Sequence, residues 1–397
     1  MTAPLLLKGF EVEMFTGQPD GTVVGCAHDV ARALPGFMVE PDCRNLEYAT
    51  PPAADYRQQL RQLLEPRRTL RTWLRQRDLT LMPGSCLSLG DSSRFERSDP
   101  ANPYHSLIER AYGTRVTTAS VHLNFGIADP DQLMAACRLM RCEGALLLAL
   151  SACSPFLDGR VTGVHSQRWR QFPITPTWIP LFLRHDHYIQ WMEEQLHLGT
   201  MHNVRHLWCS VRPNGRRRPY EIDRVEVRIC DLLADPLELL AVASFCELRL
   251  LQLLADPERQ DPLWASTMDA DALAALADRN DQAASRQSLA AQLHHWRDGH
   301  ALTAAQWLRQ SLKDVQGLAE SLGLEGWLQP LHSILRQGNR SMRWLRAHGE
   351  GESIRAIVQR EAVALERHEH ELHQHLCEET PTPITACFAP TTSLATP

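Results

Sequence analysis

Charged and polar side chains recur at every second position in four short segments of the sequence. Glu11 and Glu13 enclose one apolar residue, Val12. The same spacing is found at Asn45 and Glu47, at Ser120, His122 and Asn124, and at Arg224, Glu226 and Arg228. Carboxylates with an occasional imidazole are typical ligands of Mg²⁺ or Mn²⁺ rather than of Zn²⁺. Because Mg²⁺ bound in this way usually keeps positions for substrate phosphates, the implied ligand is a nucleotide triphosphate.

Alternation of this kind predicts β-strands, because successive side chains of a strand point to opposite faces. The four predicted strands span residues 5–15, 44–50, 116–127 and 222–230. Each has one apolar and one polar face, which singly is also typical of a half-exposed strand. If the four pair in one antiparallel sheet, helices can cover the apolar face. The other face then collects Glu11, Glu13, Glu40, Glu47, His122, Glu226 and Arg228.

A cluster of carboxylates requires cations. Two carboxylates about 4 Å apart repel each other by about 1–4 kcal/mol, depending on the effective dielectric constant. We therefore expect bound metal ions on this face of the sheet. The same acids and His122 could instead activate water, as in a carboxylate-bridged metallohydrolase.

The second half of the chain has a different pattern. Apolar residues recur there with the helical period over 237–254, 269–284, 285–296, 304–322 and 351–377. Strands that precede helices, without regular alternation of the two, indicate an α+β fold. We expect an open antiparallel β-sheet with helices covering one face and a mainly helical C-terminal half. The prediction is a single catalytic domain over 1–378, sheet-forming at 1–235 and helical at 236–378, with a disordered tail at 379–397.

Composition excludes several classes of partner. A formal net charge of −6 argues against a nucleic-acid-binding protein, which needs a basic surface. The apolar run at 143–150 is too short to span a membrane and predicts a buried helix, and the N-terminus lacks the features of a signal peptide. Eleven scattered cysteines without a CxxC pair indicate free thiols. We therefore expect a cytoplasmic protein that binds neither nucleic acid nor membrane.

Several segments, taken in order, resemble the glutamate–cysteine ligase superfamily, in particular its type 2 or cyanobacterial-type branch, which includes carboxylate–amine ligases. Gly-Phe-Glu-Val-Glu-Met-Phe at 9–15 and the segment from Glu40 to Pro52 are similar to the first two acidic strands of that family. Ser-Val-His-Leu-Asn-Phe-Gly at 120–126 is similar to its His-bearing strand. The segments 150–159 and 162–168 resemble its helix and substrate loop. The segments 208–213 and 225–231 resemble its closing acidic strand.

The resemblance implies an open antiparallel sheet related to glutamine synthetase, and a role for individual residues. Six residues would hold Mg²⁺, with Mn²⁺ as an alternative: Glu11 and Glu226 one ion, Glu13 and Glu47 a second, and Glu40, Glu47 and His122 a third. Arg228 and Glu226 would be catalytic, with Arg228 in contact with the transferring phosphoryl group. The residues implied in substrate binding are Arg168, Arg212, Thr162, Ser166 and Asn124.

The activity implied by the resemblance is ATP-dependent ligation of glutamate and cysteine. ATP would phosphorylate the γ-carboxylate of glutamate, and the cysteine amine would displace the phosphate to give γ-glutamylcysteine, the first step of glutathione synthesis. A ligase of the same fold with a different amine acceptor is the nearest alternative. A metallohydrolase and a non-catalytic protein that binds ATP–Mg²⁺ are the alternatives from other classes.

Two further motifs are predicted to lie outside this chemistry. The histidines at 368, 370, 373 and 375 stand in a charged pattern that is typical of a solvated helix rather than of a metal site. The basic run at 216–218 follows Asn214 and Gly215, an order that is typical of a hairpin turn rather than of a nucleic-acid-binding patch.

Overall fold

The computed structural model describes residues 4–377. The predicted tail at 379–397 lies outside the described residues, and the single domain over 1–378 stays a prediction. The strands of the described part are β1 (Lys8–Gly17), β2 (Phe37–Val39), β3 (Asn45–Ala49), β4 (Thr80–Leu81), β5 (Val121–Gly126), β6 (Phe156–Leu157), β7 (Arg160–Val161), β8 (Val211–Asn214), β9 (Arg224–Val227), β10 (Gln292–His294) and β11 (Ala301–Thr303). Its α-helices are α1 (Ala27–Ala33), α2 (Tyr56–Arg75), α3 (Pro103–Tyr112), α4 (Pro130–Ser151), α5 (Gln167–Gln171), α6 (His185–His197), α7 (Pro236–Ala255), α8 (Pro257–Gln260), α9 (Pro262–Ala265), α10 (Ala270–Gln287), α11 (Ala304–Leu322), α12 (Glu325–Gln337), α13 (Arg340–Gly349) and α14 (Ile354–Cys377).

One open antiparallel sheet organises the first half of the chain. Its strands lie side by side in the order β2-β3-β1-β5-β9-β8, and β4 pairs with the end of β1. Each neighbouring pair is antiparallel. The four predicted acidic strands are therefore neighbours, namely β3, β1, β5 and β9. This arrangement confirms the predicted α+β class and the open antiparallel sheet.

Alternate residues of the central strands form the apolar face of the sheet. In β1, Phe10, Val12 and Met14 are fully buried, whereas the acidic residues between them point to the other face. α4 packs against β8 and β9, and α7 packs against α2, α4, α11 and α12. Both helices are buried on nearly all sides. This packing buries the apolar face and leaves the acidic face to line a cavity.

The two long buried helices each begin at an aspartate followed by a proline. Asp129 caps α4 by accepting a hydrogen bond from the backbone N–H of Gln132, and Asp235 caps α7 by accepting from Leu237. Such a cap satisfies N–H groups that have no partner inside the helix, and proline suits the first helical position. The predicted buried helix at 143–150 is part of α4.

The C-terminal half is mainly helical, as predicted, with one exception. The helix predicted over 285–296 is wrong, because α10 ends before Ser288, whose φ is 43°. The chain then forms β10, which pairs with β11 in a hairpin. Leu293 is buried between the exposed Gln292 and His294, which is the two-residue period of a strand rather than the helical period.

Two predictions about the class of protein concern the described residues as a whole. No helix between residues 4 and 377 combines the length and the apolar character that a membrane span requires. The nine cysteines between residues 4 and 376 are free thiols, and all but Cys43 are buried.

The histidine-rich segment lies on α14, which packs against α2 and α13. His368 faces the N-terminus of α7, where its Nε2 lies 3.5 Å from Oδ2 of the capping residue Asp235. This contact gives one histidine of the segment a partner in the fold.

Candidate active site

Strand pairing brings the predicted acidic side chains onto one face of the sheet. In the register of β1 with β3, Glu13 lies opposite Glu47. In the register of β1 with β5, Glu11 lies opposite His122. Directly opposed residues of an antiparallel pair point their side chains to the same face and lie close together. The sheet register therefore assembles four of the predicted metal ligands.

Glu226 is the most buried acid of this face and the one with the most hydrogen-bond donors. It lies opposite Asn124 on β5 and opposite Arg212 on β8. Nε and Nη2 of Arg212 donate to its two oxygens at 2.7 and 3.0 Å, Asn214 donates at 2.7 Å, and Arg228 donates at 2.5 Å. Burial alone would raise the pKa of Glu226, but the charges of Arg212 and Arg228 hold that pKa well below its usual range.

His122 joins the acids of β1 to those of β9. Its Nδ1 lies 2.8 Å from Oε2 of Glu11 and 3.8 Å from Oε1 of Glu226. Its Nε2 lies 3.6 Å from Oε1 of Glu13. Burial alone would raise the pKa of Glu11, but the hydrogen bond and charge of His122 lower it. The imidazole of His122 therefore lies among the carboxylates of Glu11, Glu13 and Glu226, where it could contact an ion that they bind.

A second group of acids lies at the other end of the face. Glu13 accepts a hydrogen bond from the Ser120 hydroxyl at 2.8 Å. Glu40, on the segment that leads into β3, forms a hydrogen bond with Glu47. Burial, together with the charges of Glu47 and Glu13, raises the pKa of Glu40 well above its usual range, and burial also raises the pKa of Glu47. A cation bound beside these carboxylates would favour their ionised forms.

These groups line one cavity of about 670 Å³, which is within the size range of small-molecule sites. The predicted residues that line it are Glu11, Glu13, Glu40, Glu47, His122, Arg168, Arg212 and Arg228. Lining residues that sequence reasoning missed include Tyr104, Phe172 and Arg205. These residues lie in helices and connections without a periodic pattern, so no signal in the sequence relates them to the acidic strands.

The basic run at 216–218 lies in the turn between β8 and β9, as predicted, but one of its members is not solvated. The side chain of Arg218 is largely buried. It donates from Nη2 to the carbonyl of Val204 at 2.6 Å, and its Nε has no partner among the described residues. Burial first, and the neighbouring Arg212 second, lower the pKa of Arg218 to about 10. The turn therefore adds positive charge to the wall of the cavity, which suits an anionic ligand.

Arg168 reaches the cavity from α5 and holds the end of β9. It donates from Nη1 to the carbonyl of Ile229 and from Nη2 to the carbonyl of Arg228, each at 2.9 Å. Its Nε has no partner among the described residues. Arg168, predicted to bind substrate, therefore donates to the backbone from two of its three guanidinium nitrogens.

Three other residues predicted to bind substrate do not line the cavity. Ser166 donates to the buried carboxylate of Asp231 at 2.7 Å. Thr162 donates to the carbonyl of Pro155 at 3.0 Å, within its own loop. Asn124 donates to Glu11 at 3.2 Å and so supports a predicted metal ligand instead. The structure therefore gives all three a partner inside the protein.

Asp231 is the residue that connects this loop to the sheet. It is fully buried and accepts hydrogen bonds from Ser166 and Ser154, each at 2.7 Å, and from the backbone N–H of Cys153 at 2.9 Å. The Ser154 hydroxyl oxygen in turn accepts from the backbone N–H of Arg168 at 3.1 Å. The loop at 150–168 is thereby attached to the segment that follows β9.

The donor set of the cavity fits a divalent cation that prefers oxygen. One ligand atom from each of Glu11, His122 and Glu226 lies within 4.8 Å of the others. A cation would also offset the repulsion between the neighbouring carboxylates of Glu40 and Glu47. Carboxylate oxygens are the ligands that Mg²⁺ and Mn²⁺ prefer. Both oxygens of Glu226 also accept from arginines, so a metal at that residue would share them.

Sequence comparison finds relatives along nearly the whole chain. The sequence model of glutamate–cysteine ligase family 2 matches residues 7–379. The chain is 26% identical over 317 residues to a Sorangium cellulosum protein provisionally named glutamate–cysteine ligase 2, which covers 79% of this chain and 81% of that protein. A Gloeobacter violaceus protein with the same provisional name is 26% identical over 334 residues, or 81% and 85% of the two chains.

Two solved structures have a similar fold. A bifunctional glutathione synthetase from Pasteurella multocida has a TM-score of 0.73 at 16% identity, and the match covers 93% of this chain but only 53% of that longer chain. A glutamate–cysteine ligase from Francisella tularensis, in complex with AMP, has a TM-score of 0.69 at 12% identity and covers 98% and 97% of the two chains. At these identities the likeness shows the fold alone. Since the family match includes every strand of the acidic face, the chain belongs to glutamate–cysteine ligase family 2.

Proposed function

We propose that this protein joins the γ-carboxylate of glutamate to the amine of cysteine, using ATP and Mg²⁺, and so makes γ-glutamylcysteine. One observation carries the proposal: the cavity of the acidic face has carboxylates that could bind metal ions beside arginines that could bind phosphate. Five of the six predicted metal ligands line it together with Arg228, and the sixth, Glu226, accepts a hydrogen bond from Arg228. Family membership supports a ligase, and the AMP bound to the Francisella enzyme supports use of a nucleotide.

The reaction has two steps that balance without an enzyme nucleophile. An oxygen of the glutamate γ-carboxylate attacks the γ-phosphorus of ATP, which releases ADP and gives an acyl phosphate. The amine of cysteine then attacks the acyl carbon, the amide bond forms, phosphate leaves, and the amine loses a proton. Catalysis of phosphoryl transfer consists mostly of positioning and of neutralising charge.

Individual residues have separate parts in this proposal. Glu11, Glu13, Glu40, Glu47, His122 and Glu226 would hold Mg²⁺ in the groups that the resemblance implies. Bound Mg²⁺ would neutralise phosphate charge and orient the phosphates for in-line transfer. Arg228 would contact the transferring phosphoryl group, and Glu226 keeps that guanidinium in place through the hydrogen bond of 2.5 Å. Arg212 would bind the carboxylate of the amino-acid substrate only by giving up one of its bonds to Glu226 or to the carbonyl of Leu207.

A second candidate is a ligase of the same mechanism with another amine acceptor. The observation that favours it is the basic wall of the cavity, formed by Arg205, Arg212 and the arginines at 216–218. Such a wall suits any amine that also carries a carboxylate, and no group in it is selective for a thiol. In either case, the proposed reaction joins small molecules and takes place in the cytoplasm.

The test measures ADP release by the purified protein with ATP, Mg²⁺ and glutamate. Cysteine is present, omitted or replaced by other amines, and the product is identified by mass spectrometry. We expect cysteine-dependent ADP release and γ-glutamylcysteine. Glu11→Gln is expected to lower the rate by about a hundredfold or more, because a metal ligand is lost. Glu221→Gln, which changes an exposed acid paired with Arg217, is the matched control.

Other outcomes decide between the alternatives. ADP release that requires a different amine would keep the ligase and correct the acceptor. Phosphate or amide hydrolysis that needs no amine would favour the metallohydrolase. ATP binding without turnover under any amine would leave only the non-catalytic nucleotide-binding protein.

A further inference from the structure

A second cavity, of about 190 Å³, lies behind the aromatic wall of the candidate active site. It is lined by Arg141 from α4, Trp169 from α5, Asp281 from α10 and Ser210 from the segment before β8. Trp169 stacks on Phe172, which lines the active-site cavity, with ring centroids 5.8 Å apart. The two cavities are therefore neighbours with a shared wall.

Two buried ionisable side chains of this second cavity are incompletely paired. Asp281 is 3% exposed, and its Oδ1 has no hydrogen-bond partner among the described residues. Arg141 is 6% exposed, and its Nε has none either. The other nitrogens of Arg141 donate to the carbonyl of Pro180 at 2.6 Å and to Asp278 at 3.3 Å. An acceptor and a donor of opposite charge thus lack protein partners beside one small cavity, and a ligand that reaches them would satisfy both.

The remaining wall of the cavity combines the polar residues Thr177, Asp278 and Gln282 with apolar ones. Trp169, Ile174 and Ile179 face it. A water molecule takes up about 30 Å³ in the liquid, so the cavity has room for about six waters. That space fits a molecule with fewer than about ten heavy atoms. A suitable ligand therefore combines a cationic donor, an anionic acceptor and a short aliphatic body.

We propose that this cavity is a binding site for the zwitterion of a small aliphatic amino acid, with its ammonium on Asp281 and its carboxylate on Arg141. The site is separate from the active-site cavity and does not depend on the proposed ligase reaction. An occupant would lie next to Ser210, whose carbonyl accepts from the backbone N–H of Arg228 at 2.7 Å. The occupant would therefore adjoin a residue that is hydrogen-bonded to the backbone of Arg228, a proposed catalytic residue.

The electrostatic surroundings of Asp281 agree with this site. Burial first, and the charge of Asp278 second, raise the pKa of Asp281 well above its usual range. The ionisable groups that face it are Asp278 on its own helix, Arg141 and Cys142 on α4, and Cys209 before β8. A bound ammonium would favour the ionised form of Asp281, so its pKa is expected to fall on binding, with release of a proton.

The test is titration calorimetry of the full chain with L-alanine and L-valine, in the absence of ATP and glutamate. We expect binding of one molecule per chain, and a heat that differs between buffers of different ionisation enthalpy, because a proton is released. Asp281→Asn should weaken binding by at least about tenfold and abolish the buffer dependence, since the charge partner is lost. Asp271→Asn, on an exposed position of the same helix, is the matched control.

Propylamine and isobutyrate test the two charges separately. Each should bind at least about tenfold more weakly than alanine, because each leaves one buried group unpaired. Absence of amino-acid binding would overturn the proposal, and so would equal binding by Asp281→Asn or by propylamine. Ile174→Trp, which fills the cavity from its apolar side, should abolish binding and serves if a charge variant does not fold. Denaturation curves of each variant establish that it is folded.

Discussion

Arg168 donates a hydrogen bond of 2.9 Å to the backbone carbonyl of Arg228. β9 ends at Val227, so this carbonyl and that of Ile229 lie beyond the strand and need another donor. The guanidinium of Arg168 supplies it to both. Because the side chain of Arg228 lines the active-site cavity, Arg168 sets the position of that side chain through the backbone.

We predict that Arg168→Gln lowers kcat by about a hundredfold, because a displacement of about 1 Å at a catalytic group has an effect of that size. KM for ATP and for glutamate should change little. Steady-state kinetics measure both, and Arg170→Gln on the exposed side of α5 is the control. A rise of the glutamate KM at unchanged kcat would show instead that Arg168 binds the substrate directly. Arg168→Lys should restore only part of the rate, since one ammonium cannot span both carbonyls.

The second prediction concerns the stability of the buried charges. Glu226→Ala leaves Arg212 and Arg228 buried without their carboxylate, so the free energy of unfolding should fall by about 3–5 kcal/mol. Urea denaturation measures it. Glu221→Ala removes an exposed ion pair with Arg217 and should cost about 1 kcal/mol or less. Equal losses in the two variants would mean that the arginines find other partners or water.

The third prediction is that the stabilisation of the fold by Mg²⁺ depends on pH. The raised pKa values of Glu40 and Glu47 mean that the folded protein holds protons there more tightly than the unfolded chain. Their contribution to stability is present below about pH 4 and is lost as pH rises through the raised pKa values. The proposed Mg²⁺ would replace the proton, so the increase in Tm caused by Mg²⁺ should grow from about pH 5 to about pH 8.

Thermal unfolding with and without Mg²⁺ across this range is the measurement, with NaCl at equal ionic strength as the control for screening. Glu40→Gln should flatten the dependence on pH. An increase in Tm that is independent of pH would contradict the replacement of a proton by the metal.

The fourth prediction concerns His368 on α14 and Asp235 at the start of α7. Burial alone would lower the pKa of His368, but the hydrogen bond and charge of Asp235 raise it, while the pKa of Asp235 falls to about 2. The pair therefore stabilises the fold above about pH 4 and below about pH 6.5, and this contribution is lost as pH rises through the pKa of His368.

The free energy of unfolding, measured with urea at about pH 6 and about pH 8, should fall more in the parent protein than in His368→Gln. His375→Gln changes an exposed residue of the same helix and should behave like the parent. If the free energy of unfolding falls by the same amount in His368→Gln and in the parent between the two pH values, the pair of His368 and Asp235 does not hold α14 in place.

Much of the acidic face could be predicted, because alternate residues of a strand point to opposite faces of the sheet. Glu11, Glu13 and Glu47 follow from this alternation, and the register then fixes which of them are neighbours. The partners of long side chains could not be predicted in the same way. Arg168 was expected to bind substrate, yet its reach to the carbonyl of Arg228 depends on the loop that Asp231 holds.

The second cavity shows a different limit. Its lining comes from α4, α5, α10 and the segment before β8, and its charged residues Arg141 and Asp281 are far apart in sequence. No spacing relates them until the helices pack. The wrong helix at 285–296 has a related cause, since a three-residue strand such as β10 is too short to show its period and becomes evident only beside β11.

The alternation along β1 also limits how this chain can change in length. Val12 lies between Glu11 and Glu13 and faces the opposite side of the sheet. The gain or loss of one residue there would exchange the two faces for everything beyond it, and would turn Glu13 toward the buried helices. In a connection between elements, an added residue leaves the two faces of each strand unchanged. We therefore expect insertions among relatives in such connections, and an odd-numbered gap inside β1 would mark a misaligned sequence.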